Sequence, residues 1–254
     1  TTMEDEAIDV LLIAGDIFDT TTPSNRAQEL YYSFLCRIAH SRTRHVVITS
    51  GNHDSPSFLN APRDLLKALH IHVHATCSGN LQDEVLVLKN DAGMPELIVE
   101  AVPYLRDADV RQIEAGEGAL EKEERLRAGI RDHYANVTKL AVQERKRLRE
   151  TLPLICMGHL YARGGQPGEG VRNLYVGTLA EITTEIFSND IDYVALGHLH
   201  VPQSVQDNDR IRYAGSPLPM GFGEAGQQKS LSIITCTGRD LSVRTIPVPV
   251  FQRL

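Results

Sequence analysis

The chain has 254 residues, a formal net charge of −7 at pH 7, 42% hydrophobic residues and 23% charged residues. These ordinary values exclude a disordered chain, a collagen-like repeat and a coiled-coil rod, and the length suffices for one large domain with a sizeable core. No apolar run approaches the roughly 20 residues of a membrane span, so the sequence predicts no contact with a membrane. The acidic balance argues weakly against a protein that coats nucleic acid by charge alone.

At the start of the chain, residues 1–6 are predicted to form the last turn of a helix that leads into a strand over residues 8–14. The first residue is not methionine, and we expect a further segment before it in the natural protein. No charged stretch followed by an apolar one marks a secretory leader, which favours a cytoplasmic protein.

Two β-branched apolar runs, residues 10–14 and 45–49, enclose a helical pattern over residues 25–39. Such a β-α-β unit with nearly continuous apolar strands indicates an α/β domain whose sheet is covered on both faces. Further strands are predicted at residues 84–89, 97–102, 154–157, 193–196, 210–214, 230–236 and 242–248. The cysteines form no CxxC pair and lie within or beside apolar stretches, which is typical of reduced, buried thiols; they are Cys36, Cys77, Cys156 and Cys236.

Residues 117–150 are dense in charge and carry apolar residues three and four positions apart, which predicts an amphipathic helix or a helix pair with a solvated charged face. The alternative is that its basic cluster contacts DNA phosphates; the cluster comprises Arg145, Lys146, Arg147 and Arg149. Residues 164–170 form a glycine-rich loop without a following Gly-Lys-Ser/Thr. No Walker A sequence occurs, so we expect no ATP hydrolysis by this chain.

Four short polar motifs each follow an apolar strand: GDIFD at residues 15–19, GNHD at 51–54, GH at 158–159 and GHLH at 197–200. Residues beyond the carboxyl ends of strands converge on one crevice, and a glycine before each potential ligand lets the backbone turn off the strand. Carboxylate, amide and imidazole donors without thiolates suit Mn, Fe or Zn better than a structural zinc site. One such motif alone is typical of a turn, but the four together predict a metal site at the strand carboxyl ends.

The order of these motifs resembles the calcineurin-like metallophosphoesterase superfamily, and the resemblance is narrower to its SbcD family of nuclease subunits. It rests also on residues 59–66, 171–177 and 213–217 and on Phe222-Gly223-Glu224 with Lys229. The resemblance implies an α/β fold of the metallophosphoesterase type, a two-sheet β-sandwich flanked by helices. It assigns residues 1–250 to the nuclease core and residues 251–254 to the start of a truncated C-terminal extension.

By this resemblance the site holds two divalent metal ions, most often Mn2+. Asp16 is the natural bridging ligand, because its two carboxylate oxygens follow directly on a strand end. The second metal takes Asn52, His159 and His198, and the first takes His200. The family's remaining ligands come from an earlier D-x-H motif, which this sequence does not contain. We therefore expect one metal site to be complete and the other to be incomplete in this chain.

His53 is interpreted as the catalytic histidine, which would protonate the leaving oxygen. Asp19 either orients His53 or caps a helix, and Asp54 is expected to cap the helix after it. The alternating His70, His72 and His74 would suit a metal, but they lie outside the strand-end set and are expected on an exposed strand face. The remaining histidines considered are expected at the surface or in packing; they are His40, His45 and His133.

The function that the resemblance implies is metal-dependent DNA phosphodiester hydrolysis, by exonuclease action on double strands and endonuclease action on single strands or hairpins. DNA, an SbcC-type ATPase and a second copy of the chain are the expected partners. Two other hypotheses stay open: a metallophosphoesterase for a smaller phosphoester, and a catalytically inactive scaffold in this truncated form.

Overall fold

The computed structural model describes residues 2–111, 116–168 and 181–250. The strands are β1 (Val10–Ala14), β2 (His45–Thr49), β3 (Ile71–His74), β4 (Val85–Lys89), β5 (Pro95–Ala101), β6 (Leu154–His159), β7 (Tyr193–Gly197), β8 (Gln203–Val205), β9 (Asn208–Tyr213), β10 (Ser230–Thr237) and β11 (Asp240–Pro247). The α-helices are α1 (Thr2–Asp5), α2 (Asn25–Ala39), α3 (Pro56–Asn60), α4 (Arg63–Lys67), α5 (Asp107–Val110) and α6 (Ala119–Leu148).

The strands form two main sheets and a hairpin. Strands β1, β2 and β3 are parallel and lie in that order. The second sheet has the order β4-β5-β6-β7-β9-β8, and its four central strands β5, β6, β7 and β9 are mutually parallel. Strands β10 and β11 pair with each other in antiparallel fashion.

The sheets pack face to face with helices outside them. Val47 of β2 packs with Val99 of β5 and Met157 of β6 in the layer between the two sheets. On the outer face of the three-stranded sheet, α2, α3 and α4 cover a core that includes Val46 and Leu35. On the outer face of the six-stranded sheet, α6 covers a third core. This arrangement confirms the predicted two-sheet sandwich flanked by helices.

Local sequence signals account for several of these elements. The nearly continuous apolar runs of β1 and β2 suit strands that are covered on both faces. Ser24 caps α2 by accepting a hydrogen bond from the backbone N–H of Ala27, and Ser55 caps α3 in the same way through Phe58. Residues 2–5 are helical as predicted, whereas the short β8 has no apolar pattern and was not predicted.

The charge-dense segment is one 30-residue helix, α6, and not a helix pair. Its basic cluster is wrong as a surface group, because Arg145 is 4% exposed. The Arg145 guanidinium lies 3.4 Å from Asp192 Oδ2, and the same carboxylate accepts the backbone N–H of Leu154 and an N–H of Arg239. This Asp192 cluster ties α6, the start of β6 and the β10–β11 hairpin together.

Other predictions need correction. Only Cys156 is buried, because Cys36 and Cys236 are exposed and Cys77 lies between the two extremes, although all four cysteines are free. The strand histidines are not on an exposed face: His72 and His74 are half-buried, and burial lowers the pKa of each to about 4.

Two predicted segments lie outside the described residues, namely 171–177 and 251–254. Within the described part of the chain, no helix combines the length and apolar character that crossing a membrane requires.

Candidate metal centre

Three of the predicted ligands meet at the carboxyl ends of β1, β2 and β6. His159 Nε2 lies 3.0 Å from Asn52 Oδ1 and 3.2 Å from Asp16 Oδ2. The other ring nitrogen, Nδ1, lies 2.9 Å from the carbonyl oxygen of Ala14, so it donates its hydrogen there and fixes the ring. Nε2 is thereby directed at the two oxygens, as in histidine ligands whose second nitrogen is held by a carbonyl.

The electrostatics of this group favour a cation. Burial alone would raise the pKa of Asp16, but the hydrogen bond and charge of His159 and the backbone N–H of His53 lower it to about 2. Burial alone would lower the pKa of His159, and its contacts with Asp16 raise it instead. Asp16 is therefore ionised at neutral pH, and the positive charge that balances it occupies the place where a metal ion would bind.

His198 completes the group from the end of β7. It is 6% exposed, and neither ring nitrogen has a hydrogen-bond partner among the described residues. Burial lowers its pKa to about 3. One ligand atom from each of Asp16, His159 and His198 can be chosen so that all lie within 4.8 Å of one another. Since a buried polar atom without a partner is costly, the two free nitrogens of His198 fit a metal ligand.

Glycines permit this convergence, but mostly by close approach. Gly15 has a φ of +83° and turns the chain off β1, as expected. Gly51 has no such φ; a Cβ there would lie 2.1 Å from Asp16 Oδ1. The prediction that every motif glycine serves a sharp turn is thus wrong, since Gly51 instead leaves room for the carboxylate.

His53 lies beside the ligands with one ring nitrogen fixed. Its backbone N–H donates to Asp16 Oδ1 at 3.0 Å, and its Nδ1 lies 2.9 Å from the carbonyl oxygen of Asp19 and 3.6 Å from the carboxylate Oδ1. Asp19 therefore orients His53, chiefly through its backbone. It is not a helix cap, because Ser24 caps α2.

Asp54 neither caps a helix nor joins the ligands. It is 1% exposed and accepts backbone N–H groups from Gly51 at 2.8 Å, Phe18 at 3.0 Å and Ile17 at 3.2 Å. These bonds join the loop after β1, which carries Asp16, to the loop after β2, which carries Asn52. The expected cap of α3 is Ser55 instead.

His200 is held by a buried ion pair. Its Nδ1 lies 2.9 Å from Glu224 Oε1, and Glu224 Oε2 lies 2.7 Å from Lys229 Nζ. Lys229 also donates to the carbonyl oxygen of His200 at 2.9 Å. Glu224 and Lys229 are 0% and 3% exposed. They orient His200, whose Nε2 remains available for a ligand bond, but His200 is not within the compact group of three.

Tyr104 is a neighbour of the site that no sequence motif indicated. Its ring meets that of His159 edge to face, with centroids 6.2 Å apart. An aromatic wall on a ligand histidine restricts the motion of the ring and excludes water.

The residues present fit a divalent metal: one carboxylate, one amide oxygen and two buried imidazoles converge, with no thiolate. Residues 2–202 match the sequence profile of the calcineurin-like phosphoesterases. The chain belongs to the calcineurin-like phosphoesterase family. Membership in this family, together with the ligand group, makes the site a divalent-metal centre.

Curated calcineurin-like phosphoesterases similar to the chain include three bacterial proteins, each named as the SbcD component of the nuclease SbcCD. The protein of Escherichia coli (strain K12) is 35% identical over 256 residues, which cover 99% of this chain and 61% of the relative. That of Rhodobacter capsulatus is 36% identical over 256 residues (96% and 60%). That of Bacillus subtilis is 33% identical over 236 residues (92% and 58%). The chain therefore spans about three fifths of the length of these relatives.

Proposed function

We propose that the protein is the nuclease subunit of an ATP-dependent DNA end-processing complex and hydrolyses DNA phosphodiester bonds. The observation that carries the proposal is His198, a buried imidazole with two unpartnered nitrogens beside Asp16, Asn52 and His159. The similarity to nucleases over nearly the whole chain supports DNA as the substrate. We also propose double-strand exonuclease and single-strand or hairpin endonuclease action, and a cytoplasmic location.

The ligand assignment is part of this proposal. Asp16 bridges two sites, Asn52, His159 and His198 complete the second, and His200 belongs to the first, which lacks two protein ligands in this chain. Mn2+ is the proposed ion at both. When bound, divalent ions polarise the phosphodiester and lower the pKa of an attacking water.

His53 supplies the proton in the proposed mechanism. Its Nδ1 is held at 2.9 Å by the carbonyl oxygen of Asp19, so Nε2 is the nitrogen that can face a substrate. Protonated there, His53 stabilises charge on the phosphoryl oxygens and gives its proton to the leaving oxygen of the sugar. Asp19 acts as a positioning residue, because its backbone fixes the ring.

Two protein partners are proposed as well. An SbcC-type ATPase is proposed because the relatives are named as components of SbcCD. For a homodimer, the supporting feature is an apolar surface on the helices that cover the three-stranded sheet. Leu30 and Phe34 on α2 are 54% and 41% exposed, and Leu65 on α4 is 69% exposed. Light scattering of the wild type and of Phe34→Glu tests this, since the charge would dissociate a dimer formed through this surface.

The deciding experiment compares two substrates in the presence of Mn2+: a labelled hairpin DNA and a small phosphodiester such as bis(p-nitrophenyl) phosphate. We expect DNA cleavage that Asp16→Ala abolishes together with metal binding. His53→Gln should lose most turnover while calorimetry shows retained metal binding. His40→Gln, at an exposed histidine on the C-terminal side of α2, is the matched control.

The other outcomes separate the alternatives. Turnover of the small ester with intact DNA would contradict the nuclease and favour a phosphoesterase for small substrates. Metal binding without turnover of either substrate would favour the scaffold. Loss of metal from His53→Gln would contradict its catalytic role.

A further inference from the structure

Three side chains outside the metal centre meet where α6 packs against the chain entering β4. Cys77 lies in the loop after β3, Glu84 ends the 3-10 turn Leu81–Glu84, and His133 lies on α6. Ligand-capable atoms of the three lie within 4.8 Å of one another. Glu84 is 1% and His133 is 8% exposed, whereas Cys77 is only partly buried. The sulfur is therefore the member of this thiol cluster that reagents in solution can reach.

A buried ion pair holds His133 in its cationic form. Glu84 Oε2 accepts a hydrogen bond from His133 Nε2 at 2.7 Å, and Oε1 has no hydrogen-bond partner among the described residues. A carboxylate at this depth requires a positive partner. Burial alone would lower the pKa of His133, but the hydrogen bonds and charges of Cys77 and Glu84 raise it to about 9. The imidazole thus carries a proton on both nitrogens at neutral pH.

The second nitrogen of the ring faces the sulfur. His133 Nδ1 lies 3.8 Å from Cys77 Sγ, a distance at which sulfur accepts a hydrogen bond. The two ring nitrogens point in opposite directions, so carboxylate, imidazolium and thiol stand in line and do not surround one point. This order matches cysteine nucleophiles, in which a histidine oriented by a third group stabilises the thiolate.

We propose that Cys77 is a reactive thiol and a site of covalent modification by soft electrophiles and by hydrogen peroxide. With an alkyl iodide, the sulfur forms a bond to carbon as the carbon–iodine bond breaks, iodide leaves and the thiol proton passes through His133 to solvent. With hydrogen peroxide, a sulfur–oxygen bond forms as the oxygen–oxygen bond breaks. The sulfur is oxidised to a sulfenic acid, and the peroxide is reduced to water with the proton from His133.

Cys36 provides a reference within the same chain. It is exposed, and its sulfur makes no hydrogen bond to an imidazole in the described part of the chain. An ordinary thiol with a pKa of about 8.5 is about 3% thiolate at pH 7, so full ionisation would raise the reactive fraction about 30-fold. The lower nucleophilicity of a stabilised thiolate takes back part of this gain. We therefore expect limiting iodoacetamide at pH 7 to alkylate Cys77 about 5- to 10-fold faster than Cys36, despite its lower exposure.

The experiment follows both peptides by mass spectrometry over time in the native protein. In Glu84→Gln, which keeps the side-chain shape, the rate at Cys77 should fall to near that of Cys36, while an unchanged rate at Cys36 reports an intact fold. His133→Gln is the second variant, with the same expectation. Dimedone should label Cys77 in the wild type after peroxide treatment.

Two results would overturn the proposal. The first is alkylation of Cys77 no faster than Cys36 in the wild type, or a rate that neither variant changes. The second is stoichiometric zinc in the purified protein that Cys77→Ser removes, because the cluster would then be a metal site.

Discussion

Asp54→Asn tests whether one buried carboxylate holds the two ligand-bearing loops together. Asp54 Oδ2 accepts two backbone N–H groups and Oδ1 accepts one. An asparagine can keep the oxygen that accepts two, but its amide NH2 then faces the N–H of Phe18. That lost bond costs about 1–3 kcal/mol, and the two remaining bonds lose their charge assistance.

Part of this loss is offset, because burial raises the pKa of Asp54 and the amide removes a buried charge. We expect the free energy of unfolding to fall by about 2 kcal/mol. Metal affinity should also fall, since Asp16 and Asn52 are no longer fixed relative to each other.

Urea unfolding of the metal-free protein and titration calorimetry with Mn2+ measure the two effects separately. The matched control is Asp91→Asn, at an exposed aspartate in the turn after β4. If Asp54→Asn is as stable as this control and binds Mn2+ with wild-type affinity, the three hydrogen bonds do not organise the site and the reasoning is refuted.

Three further changes are expected to have defined effects. Gly51→Ala places a Cβ 2.1 Å from Asp16 Oδ1, so calorimetry should show at least 10-fold weaker Mn2+ binding; unchanged affinity would contradict the close approach. Glu224→Gln weakens the orientation of His200 and should reduce Mn2+ affinity about 10-fold, while an unchanged binding isotherm would exclude a role in the site. Burial raises the pKa of Glu100 from 4.5 to about 7. The folded state therefore retains a proton that the unfolded state has lost, and the free energy of unfolding should decrease as pH rises from about 4.5 to about 7. Glu100→Gln should remove that part of the pH dependence in urea unfolding, and an unaltered slope would contradict the assignment.

The strands and their convergence were predictable from the sequence for a physical reason. Apolar runs such as residues 10–14 and 45–49 have few alternatives to burial in a sheet, and the carboxyl ends of parallel strands meet at one edge. For this reason Asp16, Asn52 and His159 were placed together correctly.

The supporting contacts were not predictable, because they depend on how loops distant in sequence pack. Asp54 has the sequence context of a helix cap, yet it bonds to residues 36 and 37 positions away. Glu224 stood in a motif without an assigned role until the structure placed it on His200. Arg145 belongs to an exposed-looking basic run, but its partner Asp192 lies 47 positions further on.

The Asp192 cluster and the metal centre occupy opposite ends of the same strand. Asp192 binds the backbone of Leu154, where β6 begins, and His159 stands where β6 ends. Six residues at about 3.3 Å each separate the two by roughly 16–20 Å, about twice the distance over which physiological salt screens charge. Substitutions that strengthen or weaken the ionic cluster should therefore change the melting temperature and leave the charge balance of the ligands untouched. The protein can in this way be made more robust from one end of its sheet while the chemistry at the other end stays as it is.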